Sequence, residues 1–466
     1  MSVSSWRFGR ACGLLLAFGL SMGVAPGVVS DAEAAVREGS SVTTVAEADP
    51  EQTALARAAA SGEPVEIAEA RTEYSTTDAN PDGSFTLKQS TAPQRVRAGD
   101  GSWQAVDTTL VRRPDGSIGP RAAVVDLAFS GGGSRSMIRL GSRQSSVSLD
   151  WPGELPEPAI SGATATYAEV MTGVDLELTA TAEGYRQILV VKSAEAAASS
   201  ALEKVTLSVD GDGLQVVSGA GGGLRAIDAN GNTVFNGPAG QMWDSAGDQA
   251  AARLTRVAAE EPQDPTGEGD PTQPGAGDAT AVLPVNVAEG TVSIAPDLDL
   301  LRGAETVYPV RIDPPVGLGI SERSVISSDG DRWWQFNGEY GVGLCGSADG
   351  YYCGNGYKNR MLFEMAPTQL SGKYVLDATF RAHETWSFNC DPHWVDLERT
   401  DNMSEGTRWP GPKDLDQMGD KWVSNGRGDN CTPSQPEVPP ADWTAGVYAA
   451  GARFCLSRDL VSSGVT

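Results

Sequence analysis

Histidine is almost absent: the 466 residues contain two, His383 and His393. That leaves little room for His-ligated metals or imidazole general bases. Cysteine is scarce and unevenly placed. Apart from Cys12, the five others (Cys345, Cys353, Cys390, Cys431 and Cys455) all lie in the last third of the chain. No Cys-x-x-Cys pair occurs, so a zinc site is not expected, and the metal and cofactor sets are read as empty. Basic residues are outnumbered, 35 against 61 acidic, for a net charge of −26. Clustered Lys and Arg are what neutralise phosphates, so nucleic acid is excluded as a partner, and an anionic membrane surface is disfavoured. Past the N-terminus no run of 18 apolar residues exists to span a bilayer. Neither a Gly-x-Ser-x-Gly elbow nor a His-Glu-x-x-His pair appears, and Gly131-Gly132-Gly133-Ser134 reads as a loop.

What is present begins with an address. Arg7 and Arg10 precede an apolar run from Ala11 to about Val29, and Asp31-Ala32-Glu33-Ala34-Ala35 puts small residues at a cleavage site after Ala34. This three-part pattern predicts a secretory signal over 1–34, hence a secreted, extracellular protein, free or held at the cell wall, with no membrane contact after cleavage. Export agrees with the cysteines, because an oxidising compartment permits disulfides. Of the fifteen ways to form two bridges from five cysteines, Cys345–Cys353 and Cys390–Cys431 are favoured. The first closes a turn-rich loop and the second a longer one, leaving Cys455 over.

The rest of the chain reads as all-β. Residues 35–62 form a short helix or linker, with Asp49-Pro50-Glu51 as its start and Ser61-Gly62 as its stop. From 63 to 315 short strands alternate with turns, as in Val174–Ala180, Ile188–Val191 and Val205–Val209, with Asn230-Gly231 as the clearest hairpin signal. This predicts a β-sandwich-like module. Residues 258–281 interrupt it with Pro, Gly and acid, a disordered excursion. From 325 to 466 the composition shifts: seven of the eleven Trp lie past residue 330, together with every cysteine but Cys12. That predicts a second, small, disulfide-linked domain.

Two stretches resemble known families. Tyr167-Ala168-Glu169-Val170-Met171-Thr172-Gly173-Val174-Asp175-Leu176 and Tyr185-Arg186-Gln187-Ile188-Leu189-Val190-Val191, with Trp151-Pro152-Gly153 and Met242-Trp243-Asp244, resemble the N-terminal region of large exported Gram-positive proteins. Those proteins are wall-associated, of RHS type or carry LamG-like jelly rolls. Asn359-Arg360-Met361-Leu362-Phe363-Glu364-Met365, with Leu370-Ser371-Gly372 and the strand after it, is similar to the DNRLRE group of carbohydrate-binding-module-like jelly rolls. The resemblance implies a jelly-roll fold for 325–466. Residues 436–466 depart from the pattern, since the Ala/Gly-rich end does not read as closing strands, and are expected to be atypical or truncated.

Chemistry follows from the aromatics. Sugars present apolar C–H faces that pack on flat rings. Trp333, Trp334, Tyr351, Tyr352 and Trp386 are the candidate stacking residues, Trp394 is also available, and Arg360 is a hydrogen-bond or supporting residue. Glu384, Asp391, Asp396 and Glu398 cluster near aromatics, yet solvated strand faces explain them equally well, so no catalytic pair is assigned. Asp210-Gly211-Asp212-Gly213 and Asp228-Ala229-Asn230-Gly231-Asn232 echo calcium loops but fit hairpin turns better. The expectation is a non-catalytic adhesion or binding protein whose partner is polysaccharide or cell-wall glycan. Two alternatives stay open: a structural segment of a larger delivery or adhesion protein with no ligand of its own, and a polysaccharide-degrading enzyme.

Overall fold

The computed structural model describes residues 3–9, 49–142, 145–219, 223–237, 240–246, 274, 278–283, 285–288, 290–314, 323–330, 332–333, 342–345, 356–365, 368–370, 373–383, 390–404, 406–424, 440–445 and 453–457. It is predominantly β, built from antiparallel sheets. Two large hydrophobic cores organise it.

The first core lies between two sheets and runs from Leu110 to Ile312. Eight strands form one sheet, in the order Val285–Ala288, Thr291–Ile294, Val205–Asp212, Ser145–Leu155, Ser134–Ser142, Asp126–Phe129, Ile118–Ala122, Asp107–Arg112. Seven form the other: Ala159–Ser161, Thr164–Met171, Val174–Ala180, Tyr185–Val191, Val310–Asp313, Gly240–Trp243, Thr280–Leu283. Val174–Ala180 shows why. Val174, Leu176, Leu178 and Ala180 are buried and the residues between them are not, the two-residue period that places every second side chain in the core. Tyr167 is fully buried and its hydroxyl donates to the Ser130 carbonyl at 2.6 Å, which satisfies its one polar atom. The Asn230-Gly231 hairpin forms as its sequence demands. Gly231 takes φ 83°, and the Asp228 carboxylate accepts from the backbone N–H groups of Asn230 and Asn232.

The second core combines both ends of the chain. Ala54, Ala58, Ile67, Ala79, Phe85 and Leu87 pack with Val325, Met361, Phe363, Val375, Phe380, Leu397 and Val423. One sheet runs Val65–Glu66, Ser75–Ala79, Phe85–Ser90, Val3–Gly9, Tyr374–His383, Pro440–Ala445. The other runs Arg332–Trp333, Arg323–Ser327, Tyr357–Glu364, Arg453–Ser457, His393–Thr400, Asp414–Val423, with Gly343–Cys345 also paired to Tyr357–Glu364.

This packing divides the chain differently from the sequence boundaries. The helix Pro50–Ser61 has the expected ends: the Asp49 carboxylate accepts from Glu51 N–H at 3.1 Å, and Gly62 closes it at φ 74°. It is not a linker, because Ala54 and Ala58, one turn apart, seat it on the second core. Residues 63–90 likewise belong to the second unit rather than to the sandwich. Lys373 fastens the two ends: its Nζ lies 3.2 Å from Glu51 and 5.4 Å from the centroid of the Phe85 ring. Tyr74 joins the units by donating to Glu183 at 2.9 Å. Two further differences concern the expected leader and tail. Val3–Gly9, inside the expected leader, forms a strand. Residues 440–445 and 453–457, read as atypical, each enter a sheet: the Ala/Gly-rich run that suggested otherwise lies in sequence mainly between the two strands, which carry Trp443, Phe454 and Leu456. Residues 258–273 of the expected excursion lie outside the described residues, whereas Thr280 and Ala281 are in a strand.

Candidate functional site

The structure brings few of the sequence candidates together. Trp334, Tyr351, Tyr352, Trp386, Cys353 and Cys431 lie outside the described residues. Trp333 is in a two-residue strand and pairs with Val325, a core residue. Arg360 pairs with Ile326, one position on. Successive strand positions take opposite faces, so Trp333 and Arg360 do not share one by register. Cys345 ends the strand Gly343–Cys345, and Cys390 is disulfide-bonded.

Arg360 works as a latch. Its Nη1 donates to the Pro410 carbonyl at 2.9 Å, lies 3.3 Å from Asp414, and its guanidinium sits 5.7 Å from the centroid of the Trp409 ring. These contacts draw the 401–413 connection back over the outer face of the sheet. There Met403 packs with Ile326 and Leu362 in a small third cluster. A Cβ at Gly411 would approach Ile326 Cδ1 to 3.2 Å, and Gly411 adopts φ 117°, so a side chain there is strained twice over. Arg360 thus supports the loop beside the site.

The site itself lies on the hairpin His393–Thr400 and Asp414–Val423. Val395 and Leu397 face the core, which turns Trp394, Asp396 and Glu398 outward. Trp394 is paired with Trp422, and their rings meet edge to face at 5.6 Å and 71°. Trp422 is 63 % exposed, an unusual degree for the largest side chain, and it forms a flat apolar shelf at the sheet's end. Behind it Asp396 accepts from Trp394 Nε1 and from Gln417 Nε2 at 2.8 Å. Asp396 thereby fixes the Trp394 ring and turns the Gln417 amide. Glu398 follows, opposite Gln417. Burial raises its pKa, and the neighbouring Asp414 and Asp396 push the same way against Arg360. The arrangement offers an aromatic surface with carboxylate and amide groups along one edge. The sequence signal was the alternation Trp394, Asp396, Glu398. Trp422 carried none, because only pairing places it against Trp394.

A second row of carboxylates crosses the outer face of the seven-stranded sheet. Glu177 pairs with Ile188 and Asp313 with Gln241, and the two pairs are joined by the ladder between Tyr185–Val191 and Val310–Asp313, whose last pair is Leu189 with Ile312. Burial raises the Glu177 pKa against the pull of Arg311. Burial also pushes Asp313 up to about 7, although Arg186 is 3.7 Å away. Glu177 and Asp313 are two strands apart, roughly 10 Å between Cα atoms, with buried Ile188 between them. The Asp228 loop is a turn, with its carboxylate held below the usual range by Asn232 and by backbone donors. Among the described residues no three His, Cys, Asp or Glu side chains are grouped to hold a metal ion, and no helix is long and apolar enough to cross a membrane. Comparison of the chain with protein-family models, with curated proteins and with solved structures finds no match.

Proposed function

We propose that the chain is an exported, non-catalytic binding protein that engages polysaccharide or cell-wall glycan through the outer face of its second unit. The observation that carries this reading is Trp422, 63 % exposed and braced edge-on by Trp394. A pyranose ring would stack on that shelf, and the amide of Gln417 and the carboxylate of Glu398 would meet its hydroxyls. A scaffold without a ligand would bury its aromatics, so the exposure of Trp422 favours binding over that alternative. Trp333, Trp334, Tyr351, Tyr352 and Trp386 stay candidates for the same ligand. Removal of 1–34, the bridges Cys345–Cys353 and Cys390–Cys431, and kinship with LamG/RHS-type and DNRLRE-like proteins belong to the same proposal.

The test is retention of the whole protein on insoluble cell-wall and plant polysaccharides. Trp422→Ala is expected to cut retention at least tenfold with an unchanged near-UV circular dichroism spectrum. Unchanged retention would remove Trp422 from the site. The pair Trp333→Ala and Trp334→Ala, measured the same way, reports on the second set of rings.

A further inference from the structure

The six-stranded sheet of the second unit is continuous only through Val3–Gly9. That strand runs antiparallel to both neighbours. It pairs with Phe85–Ser90 from Val3↔Ser90 to Phe8↔Phe85, and with Tyr374–His383 from Ser5↔Thr379 to Gly9↔Tyr374. Its neighbours make no ladder with each other and stand two strand spacings apart, roughly 10 Å. Along Phe85–Ser90 the positions facing the strand alternate in character; along Tyr374–His383 they do so across a bulge that skips exposed Leu376 between Arg7 and Phe8. Trp6 is in register with Leu87 and Ala378, and Phe8 with Phe85 and Val375; all four partners are buried in the core. Arg7, between them, is in register with half-buried Thr86 and exposed Asp377. The gap therefore calls for an extended segment with apolar residues at i and i+2 and a polar residue between them. The segment that fills it lies within the leader expected to be removed on export.

We propose that the gap between Phe85–Ser90 and Tyr374–His383 is a strand-acceptor site. Val3–Gly9 fills it in cis while attached. Once that segment is gone, the site takes an extended peptide strand from another chain, one with two apolar residues at alternate positions and no proline between them. Only the timing of opening rests on the export reading; the acceptor geometry does not. Two facing strand edges leave rows of N–H and C=O groups unpaired above an apolar floor, and an added strand satisfies both rows at once. Proline at the central position removes a donor and clashes with the ladder.

The experiment compares the full chain with its Arg7→Pro variant, using as probe a fluorescently labelled synthetic peptide of residues 3–9. The variant is expected to bind the peptide saturably and the unsubstituted chain at least tenfold more weakly. A peptide carrying Trp6→Ser and Phe8→Ser should bind the variant at least tenfold more weakly than the parent peptide. Equal binding by the two chains, or no binding by a variant whose near-UV spectrum matches the parent, would overturn the proposal. If Arg7→Pro does not fold, hydrogen exchange on the unsubstituted chain decides it: rapid exchange along the facing edges of Phe85–Ser90 and Tyr374–His383 would overturn it, and protection would support it. The mass of the secreted product is a separate readout. A product that keeps residues 1–34 refutes the leader and leaves the peptide experiment standing.

Discussion

The sandwich and the second unit are made of the same antiparallel ribbon, yet their connectivity differs. The sandwich draws its core from one continuous stretch, Leu110 to Ile312. The second unit draws its core from Ala54–Leu87 and from Val325–Val423, with the whole sandwich inserted between them. A contiguous unit can close on itself during synthesis. A split unit must hold its first hairpin in waiting until more than two hundred residues later, and it pays a larger loop-closure entropy for doing so. Damage at the N-terminal hairpin should therefore be felt in the C-terminal unit and leave the sandwich intact.

The largest expected effect breaks this comparison at Phe85. Phe85 is almost completely buried in the second core, so Phe85→Ala should destabilise the second unit by about 3–5 kcal/mol. Denaturant melts should then show two transitions, the sandwich transition unmoved. A single transition shifted as a whole would mean that the units are not separable.

Gln187 works in the opposite direction, inside the sandwich. It is fully buried beside Leu189, and neither of its amide atoms has a partner among the described residues. An unpaired buried amide costs about 1–3 kcal/mol. Gln187→Leu is expected to stabilise the sandwich by that order and to raise its melting temperature; a loss of stability would show that the amide is satisfied after all.

Asp313 adds a pH dependence to the sandwich alone. Its folded pKa of about 7 lies above the unfolded value near 3.8, so the folded state holds the extra proton. Stability from this group is fully present below about pH 4 and is lost as pH rises through about 7. Asp313→Asn should leave stability at pH 4 nearly unchanged and raise it at pH 8 by roughly 1–3 kcal/mol. Chemical denaturation at the two pH values measures it, and an equal effect at both would rule out this titration.

The smallest effect is expected at the clasp between the chain ends. Glu51 and Lys373 are only part-buried, and pairs of that kind contribute about 0–1 kcal/mol. Glu51→Gln should lower the stability of the second unit by no more than that, against the several kcal/mol of Phe85→Ala.

The contrast between the units also explains what could be read beforehand. Strands such as Val174–Ala180 and the Asn230-Gly231 hairpin were legible because alternation and turn chemistry are local. The caps of Pro50–Ser61 were legible for the same reason. The partner of that helix was not, since a short Ala-rich face at Ala54 and Ala58 does not say which core will receive it. At the candidate site Asp396 and Glu398 could be named but not ranked. Their importance comes from Trp422 and Gln417, brought opposite by a pairing that begins about twenty residues away. Arg360 was identified by type, and its role as a loop latch needed Trp409, Pro410 and Asp414 placed around it.

The split second unit is tested most directly by complementation. Residues 323–466 are expressed alone and then together with a separate chain of 49–105, and near-UV circular dichroism reports fixed aromatic packing. No near-UV signal is expected from 323–466 alone, and a cooperative, thermally melting signal is expected to return when 49–105 is added. A native-like, cooperatively melting 323–466 that is indifferent to 49–105 would contradict it.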